Sequence, residues 1–228
     1  MKPFAWSHTA LDSFENCPKQ YYETKVVKRW DQGTTQEMQW GRDVHKAFEN
    51  YLLHLTPLPP DLATHRDFLD RFRHQPGMLA GEERIALNER FEPCGYFDKA
   101  PKSPTWWRGQ VDARKRDLNR GFSHILDHKT GKVKTDFTQL KQFAIHEFVA
   151  NPGVHMVKVE FYWTQIKAAN GETYTRDQLP GLIRELIPRL HRFADAFAAN
   201  AFPPKPSGLC RGWCPVTDCE FWTPKRPR

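Results

Sequence analysis

Two segments in the middle of the chain have the pattern of β-strands and are joined by a very short connection. Residues 108–116 and 122–129 form the strands, and the residues between them include Asn119 and Gly121, which suit a turn with positive φ. So short a link joins neighbouring antiparallel strands. Asp112 and Asp127 are therefore predicted on adjacent strands, with Lys129 on the same face as Asp127 because side chains two residues apart share a face.

Helical and strand periods alternate over the rest of the chain. Helices are predicted at residues 7–27 with a break at Cys17-Pro18, and at 38–53, 61–72, 138–149 and 177–199, the last kinked at Pro188. Strands are predicted from residue 83 to 91 and over 157–163, followed by a turn at Asn170-Gly171. The pattern predicts an α/β fold, and 228 residues suit one domain spanning 1–228.

The bulk composition excludes several classes of protein. No stretch reaches the roughly 18 apolar residues of a membrane span, and residues 1–7 contain no apolar core of an export signal, so we expect an intracellular, cytoplasmic location, or the host cytoplasm if the protein is viral. A net charge of +7 favours a polyanionic partner. The phosphate-binding loop of ATPases is absent from the sequence, so any motor would be a separate partner, such as a helicase.

The paired acids suit a hard divalent cation. Asp112 and Asp127 would supply oxygen ligands, the backbone carbonyl of His128 a third, and Lys129 would stabilise charge at a reacting phosphate. His45 recurs with the apolar stripe of its predicted helix and could reach the same ion, while Gln139 could hold Lys129 or a phosphate. The plainer interpretation is an exposed strand face with unrelated acids, a core histidine and a surface glutamine.

At this point the sequence resembles a known family. The motifs Gly41-x-x-x-His45, Gly109-x-x-Asp112, Asp127-x-Lys129-Thr130-Gly131 and Gln139-x-x-x-Phe143, with an opening Ser7 to Tyr21 motif, resemble the RecB-type branch of the PD-(D/E)XK nuclease superfamily, including AddB-like and CRISPR-adaptation nucleases. The resemblance implies a mixed central sheet flanked by helices, Mg²⁺ or Mn²⁺ at His45, Asp112 and Asp127, and Lys129 as the catalytic cation. The last motif usually ends in tyrosine, and Phe143 departs from it.

Three cysteines close to the C-terminus form C-x3-C-x4-C at Cys210, Cys214 and Cys219. A tetrathiolate site needs a fourth ligand, for which the sequence offers Cys17 and Cys94. The resemblance implies Cys17 and a four-iron four-sulfur cluster that joins residues 1–30 to residues 200–228. Zinc in the same thiolates, or no metal at all, remains open.

Several basic and aromatic residues are predicted to contact nucleic acid. The candidates are Arg108, Arg114, Lys132, Lys134, Lys141 and Trp107. Trp107, in the pair Trp106-Trp107, could instead be a core residue, and Glu83 is expected to be a solvated acid or an auxiliary to the site. The overall hypothesis is a metal-dependent DNA exonuclease for single-stranded or frayed ends, acting in repair or recombination and leaving 5′-phosphates. The alternatives are a non-catalytic recombination or packaging adaptor and a zinc-stabilised regulator.

Overall fold

The computed structural model describes residues 5–31, 33–99 and 104–224. These residues group into two compact units. The larger unit contains Thr35–Ile183, and the smaller combines Trp6–Thr34 with the described part of Arg184–Arg228. Among the described residues, no helix has both the length and the apolar character that crossing a bilayer requires.

The regular elements include a helix or strand at each predicted position and one further strand, Ala168–Thr175, that the sequence pattern did not predict. The helices are α1 (His8–Asn16), α2 (Pro18–Tyr21), α3 (Gln36–His54), α4 (Arg66–Arg73), α5 (Thr138–Ala150) and α6 (Leu179–Ala199). The strands are β1 (Met78–Leu87), β2 (Trp107–Asp117), β3 (Phe122–Lys129), β4 (Met156–Trp163) and β5 (Ala168–Thr175). A π-helical turn at Tyr22–Val26 follows α2, and 3₁₀ turns precede α4 and α6.

The five strands form one mixed sheet in the order β1-β2-β3-β4-β5. Strands β3 and β4 are parallel, and the other neighbours are antiparallel. The parallel pair requires a crossover, and α5 provides it. This confirms the predicted α/β fold with a mixed sheet flanked by helices.

Two predictions about the strands are wrong. The first strand is predicted at residues 83–91, but β1 begins at Met78 and ends at Leu87, and Phe91 lies in a turn with φ of 60°. Asn170-Gly171 does not turn the chain, because both residues lie within β5, opposite Phe161 and Glu160 of β4. The hairpin turn lies before β5 and includes Lys167, whose φ is 52°.

Helices α3 and α4 cover one face of the sheet. Thr35 caps α3 by accepting the Met38 N–H, and apolar residues at helical spacing, Val44, Phe48 and Leu52, are buried in a core with residues of α4 and the sheet. Ala113 of β2 lies in that core. The predicted apolar stripe of this helix is thereby confirmed.

Helix α5 covers the opposite face. Arg114, the neighbour of Ala113 in β2, points away from the α3 side and donates a hydrogen bond to Glu147 of α5 at 3.2 Å. Arg116 binds the same carboxylate through two hydrogen bonds of 2.6 and 2.8 Å. Because both faces of the sheet are covered, polar side chains of its central strands become buried and need partners.

The smaller unit has an aromatic core of its own. Ser7 caps α1 by accepting the Ala10 N–H at 3.2 Å. Rings of the N-terminal helices meet rings of α6 and the segment after it, the closest pair being Tyr22 and Phe202, stacked at 4.5 Å. Glu15 of α1 forms a salt bridge with Arg189 of α6. These contacts join the N- and C-terminal segments within the unit.

Candidate functional site

Strands β2 and β3 separate at the two predicted acids. The last paired residues are Ala113 and Leu126, so Asp112 and Asp127 lie one position beyond them. Beyond this fork the backbone of β3 is free to hydrogen bond with side chains, and the His128 N–H donates to Asp112 Oδ2 at 2.6 Å. Both carboxylates are buried, at 7% and 3% exposure. The fork holds two acids in a confined space.

The buried face of α3 brings a histidine to the fork. His45 Nδ1 lies 3.2 Å from Asp112 Oδ1. The ring nitrogens of His128 form a set with these two groups, since the three side chains have ligand atoms within 4.8 Å of one another. The sequence predicted only the backbone carbonyl of His128 as a ligand. Among the described residues neither of its buried ring nitrogens has a hydrogen-bond partner, which is the expected state of a ligand without its ion.

Asp127 belongs to a second group in the same site. Its carboxylate forms a salt bridge with Lys129, and its Oδ1 accepts a hydrogen bond of 2.9 Å from Gln139 Nε2. Lys129 Nζ donates to Gln139 Oε1, also at 2.9 Å. Gln139 lies in the first turn of α5. The amide therefore bridges the acid and the lysine and fixes both orientations.

Asp112 and His45 each stabilise the charged form of the other. Burial alone would raise the pKa of Asp112, but the hydrogen bond from His45 and the charges of His128 and His45 lower it below its ordinary value. Burial alone would lower the pKa of His45, but its hydrogen bond to Asp112 and the charges of Asp112 and Asp127 raise it above 6.5. Without metal, Asp112 is a carboxylate paired with a readily protonated imidazole.

Burial has the largest effect on the pKa values of Asp127 and His128. Burial raises the pKa of Asp127 to about 6, because the opposite charge of Lys129 is not enough to offset it and the like charge of Asp112 adds to it. Burial lowers the pKa of His128 to about 4, with only a partial opposing effect from Asp112. His128 is therefore neutral near pH 7, the form that can bind a metal ion.

The site opens into a cleft of about 530 Å³. Sequence reasoning missed five of the residues that line it. They are Arg42, Lys46 and Glu49 of α3, Glu82 of β1 and Gln110 of β2. The three on α3 could have been found, because positions 42, 46 and 49 lie three or four residues from His45 or from each other and so share its helix face.

Glu82, rather than the predicted Glu83, is the acid of β1 that faces the cleft. Its backbone adopts φ of 49°, and its carboxylate accepts a hydrogen bond from Gln110. The left-handed conformation is uncommon for glutamate and cannot be read from sequence. Glu83 instead binds Arg114 at 2.6 Å. The interpretation of Glu83 as a solvated or site-facing acid is corrected to a structural ion-pair partner.

Two predicted DNA contacts are also corrected. Trp107 is 2% exposed and donates its indole N–H to Gln142 Oε1 at 3.2 Å, so it is a core residue and cannot stack on a base. Arg114 is 4% exposed and lies between Glu83 and Glu147. Both residues lie on the side of the sheet that α5 covers, and they are buried for that reason.

The other predicted contacts retain access to solvent. Lys132 and Lys134 are exposed in the segment between β3 and α5, and Lys141 and Arg108 are half-buried. Arg108 lies over the rings of Tyr96 and Phe97. Four of the six candidates therefore keep at least part of their side chain exposed to solvent.

The four predicted cysteine ligands line one small cavity in the smaller unit. Cys17, Cys210, Cys214 and Cys219 surround it, together with lysine, proline and aromatic side chains, and the cavity volume is about 20 Å³. Cys17 ends α1 and precedes α2, and Pro18 occupies the first position of α2. Cys94 does not line this cavity and belongs to the larger unit.

Backbone amides point at two of these sulfurs. The Lys205 N–H donates to Cys17 Sγ, and the Ser207 N–H donates to Cys210 Sγ, each at 3.4 Å. Burial raises the pKa of the Cys214 thiol, and the neighbouring Cys17, Cys210 and Cys219 add to the shift. The three other sulfurs are therefore close enough to Cys214 to oppose its ionisation, an effect that a bound metal ion would reverse.

Comparisons with known proteins give a family match and two similar solved structures. The sequence pattern of the PD-(D/E)XK nuclease superfamily matches residues 5–219. A crystal structure from Eubacterium rectale, provisionally named an exonuclease, has a TM-score of 0.53 at 12% identity, covering 98% of this chain and 90% of that one. A second structure, SSO0001, has a TM-score of 0.47 at 12% identity, covering 96% and 87%. No curated protein matches this chain.

Proposed function

Because the chain belongs to the PD-(D/E)XK nuclease superfamily, we propose that it is a metal-dependent deoxyribonuclease, acting as an exonuclease on single-stranded or frayed DNA ends. The observation that carries this proposal is the convergence of Asp112, Asp127 and Lys129 at the fork between β2 and β3, with His45 of α3 beside them. A structural role alone would not require two buried carboxylates to share one open cleft.

The residues at the fork fit a divalent cation. We propose His45, Asp112 and Asp127 as ligands, with His128 contributing its backbone carbonyl, its unpartnered imidazole, or both. Oxygen and imidazole donors bind Mg²⁺ and Mn²⁺, but they bind the later divalent transition metals more tightly. The metal that is available to the protein therefore decides which ion occupies the site. When bound, such an ion supplies a nucleophilic water at neutral pH and charge compensation at the phosphate.

The chain itself supplies orientation and positive charge. Lys129 stabilises the negative charge that develops on the phosphate, and its hydrogen bond to Gln139 holds the ammonium group towards the cleft. Gln139 also fixes the Asp127 carboxylate, so one amide sets the geometry of two catalytic groups. Gln139 is therefore a positioning residue.

DNA as the polyanion is supported by the net charge of +7 and by basic residues around the cleft. Arg42 and Lys46 line it, and Lys132 and Lys134 are exposed on the segment that follows β3. A non-catalytic DNA-binding adaptor would keep these basic residues. It would gain nothing from acids in the same cleft, because carboxylates repel the phosphate backbone.

Substitutions that keep side-chain size test the proposal. Asp112→Asn, Asp127→Asn and Lys129→Met should each lower Mg²⁺- or Mn²⁺-dependent DNA degradation by at least about a hundredfold. Asp67→Asn, an exposed acid on α4, is the matched control. Linear DNA labelled at either end and circular DNA would be used as substrates, in single- and double-stranded form. Full activity in the three variants would exclude the proposal, and degradation of the circles would exclude the exonuclease mode.

We further propose that the four cysteines hold a four-iron four-sulfur cluster. A tetrahedral zinc site, with Zn–S of about 2.3 Å, places its sulfurs about 3.8 Å apart. Among the described residues, His45, Asp112 and His128 have ligand atoms that all lie within 4.8 Å of one another. No three of the thiol sulfurs meet that criterion. The wider spacing favours a cluster, as do the two N–H···S hydrogen bonds.

Anaerobic purification tests this assignment. A cluster gives a brown protein with absorption near about 400 nm and iron and sulfide in equal amounts, with each cysteine binding one iron. A colourless protein with one zinc per chain would overturn it. A colourless protein without metal would show that the thiols are structural only.

A further inference from the structure

We propose that Tyr96 and Phe97, together with Arg84 and Arg108, form a stacking site for unpaired bases of a DNA strand whose end occupies the Asp112 cleft. We call these four residues the aromatic–arginine site. The inference rests on the proposed nuclease function, and it adds a base-contacting surface and a preference for single strands.

The aromatic–arginine site is built from stacked rings and cations. The Arg84 guanidinium lies 5.6 Å from the centre of the Tyr96 ring, and the Arg108 guanidinium lies 5.5 Å from that ring and 5.0 Å from Phe97. The two rings meet edge to face at 4.9 Å. Phe97 is nevertheless 62% exposed. A large apolar ring that is held in place and left open to solvent is a surface on which another ring can stack.

The two arginines keep their charge uncompensated. Within residues 5–31, 33–99 and 104–224, neither Arg84 nor Arg108 forms a salt bridge, and Arg108 Nε is buried without a hydrogen-bond partner. By contrast, Arg114 and Arg116 of the same sheet both bind Glu147. Unlike Arg114 and Arg116, the arginines of the aromatic–arginine site therefore have charge that is available to phosphates.

Strand register connects this site to the cleft. Arg84 pairs with Gln110, and Gln110 lines the cleft together with Asp112. Arg108 lies four residues before Asp112 on β2, about 13 Å at the usual rise of a strand. Cross-strand partners share a face, so Arg84 and Gln110 lie on the side of the sheet that opens towards the metal site. An extended strand of a few nucleotides spans this distance.

The chemistry favours a single strand as the occupant. Rings stack on bases only when the bases have lost their own neighbours, whereas guanidinium groups bind the phosphates of any strand. A duplex would use only the two arginines. An apolar protein partner would use the rings but would leave the two positive charges without partners.

Equilibrium binding in EDTA tests the proposal without cleavage. Fluorescence anisotropy would compare oligo(dT) with a blunt hairpin duplex, using the full chain and its Phe97→Ala variant. We expect Phe97→Ala to weaken oligo(dT) binding about tenfold and duplex binding by less than about twofold. Phe97→Trp should restore oligo(dT) binding. Leu118→Ala is the matched control, since Leu118 is 60% exposed at the turn between β2 and β3.

The outcomes separate this inference from the proposed function. If Phe97→Ala binds both DNAs as Leu118→Ala does, or loses both equally, the aromatic–arginine site is refuted, even though the unmodified protein degrades DNA. If the unmodified protein degrades no DNA while Phe97→Ala selectively loses oligo(dT), the proposed catalysis fails and the binding site stands. Thermal melting of each variant checks that the fold is intact.

Discussion

Lowering the pH should weaken metal binding at the fork, with a slope that identifies the ligands. His45 must lose its proton before its ring nitrogen can bind an ion. Its pKa lies above 6.5 because Asp112 and Asp127 favour the charged imidazole. Below that pKa, each ion that binds displaces one proton, so affinity falls as the pH falls.

The magnitude follows from proton counting. One displaced proton changes the affinity tenfold per pH unit, or about 1.4 kcal/mol. Asp112 stays ionised throughout, since its pKa is below the ordinary value. Asp127, whose pKa is raised to about 6, begins to be protonated near that pH, so metal binding then displaces a second proton from the site. The slope of log affinity against pH should therefore steepen from one towards two below about pH 6.

Calorimetric titration with Mn²⁺ from about pH 8 to about pH 5.5 would measure this, and buffers of different ionisation enthalpy would count the protons released. The full chain would be compared with His45→Gln, which should bind more weakly and lose the slope above about pH 6, where Asp127 is still ionised. An affinity that is independent of pH over the whole range would refute the reasoning. A slope unchanged in His45→Gln would show that another group releases the proton.

Three further predictions concern the stability of the fold, the His128 ring and the cysteine ligands. Glu147→Gln should lower the free energy of unfolding by about 3–5 kcal/mol in urea titrations, because Arg116 loses a buried counterion. Glu37→Gln, at an exposed position, should change the free energy of unfolding little, and equal effects of the two substitutions would contradict the argument. His128→Phe should stabilise the metal-free protein by roughly 1–2 kcal/mol, and so raise its melting temperature, because it removes a buried imidazole that has no hydrogen-bond partner among the described residues. The same variant should bind Mn²⁺ more weakly, and a lower melting temperature would show that the ring has a further partner. Cys17→Ser should abolish the absorption near about 400 nm and the bound iron, whereas Cys94→Ser should leave both unchanged, and retention in Cys17→Ser would exclude it as a ligand.

Much of the site was predictable because its residues lie on elements with strong local signals. The short turn between β2 and β3 places Asp112 beside Asp127 whatever the rest of the chain does. Helical spacing puts His45 on the same side of α3 as Val44 and Phe48, near the core. The prediction of Gln139 as a partner of Lys129 agrees with the hydrogen bond in the structure, although its role in catalysis stays a prediction.

Three side chains were placed wrongly for one physical reason. Alternation along a strand shows which residues share a face, but it does not show which faces are covered. Helix α5 covers the second face, so Trp107 and Arg114, predicted at the surface, are buried, and Glu83 serves as an ion-pair partner. Phe97, the exposed ring of the aromatic–arginine site, lies on the connection between β1 and β2, where no periodic pattern marks it.

The sequence by itself determined most of the helices and strands, the pairing of the two acids and the spacing of the cysteines, because each depends on residues close together in the chain. Only the tertiary structure decided which acid of β1 faces the cleft, which arginines keep their charge available and which thiols line one cavity. Those outcomes depend on contacts between distant segments: the fork in the sheet, the unusual backbone of Glu82 and the packing of α5. Local propensities do not encode such contacts, since burial and charge pairing are properties of the assembled core.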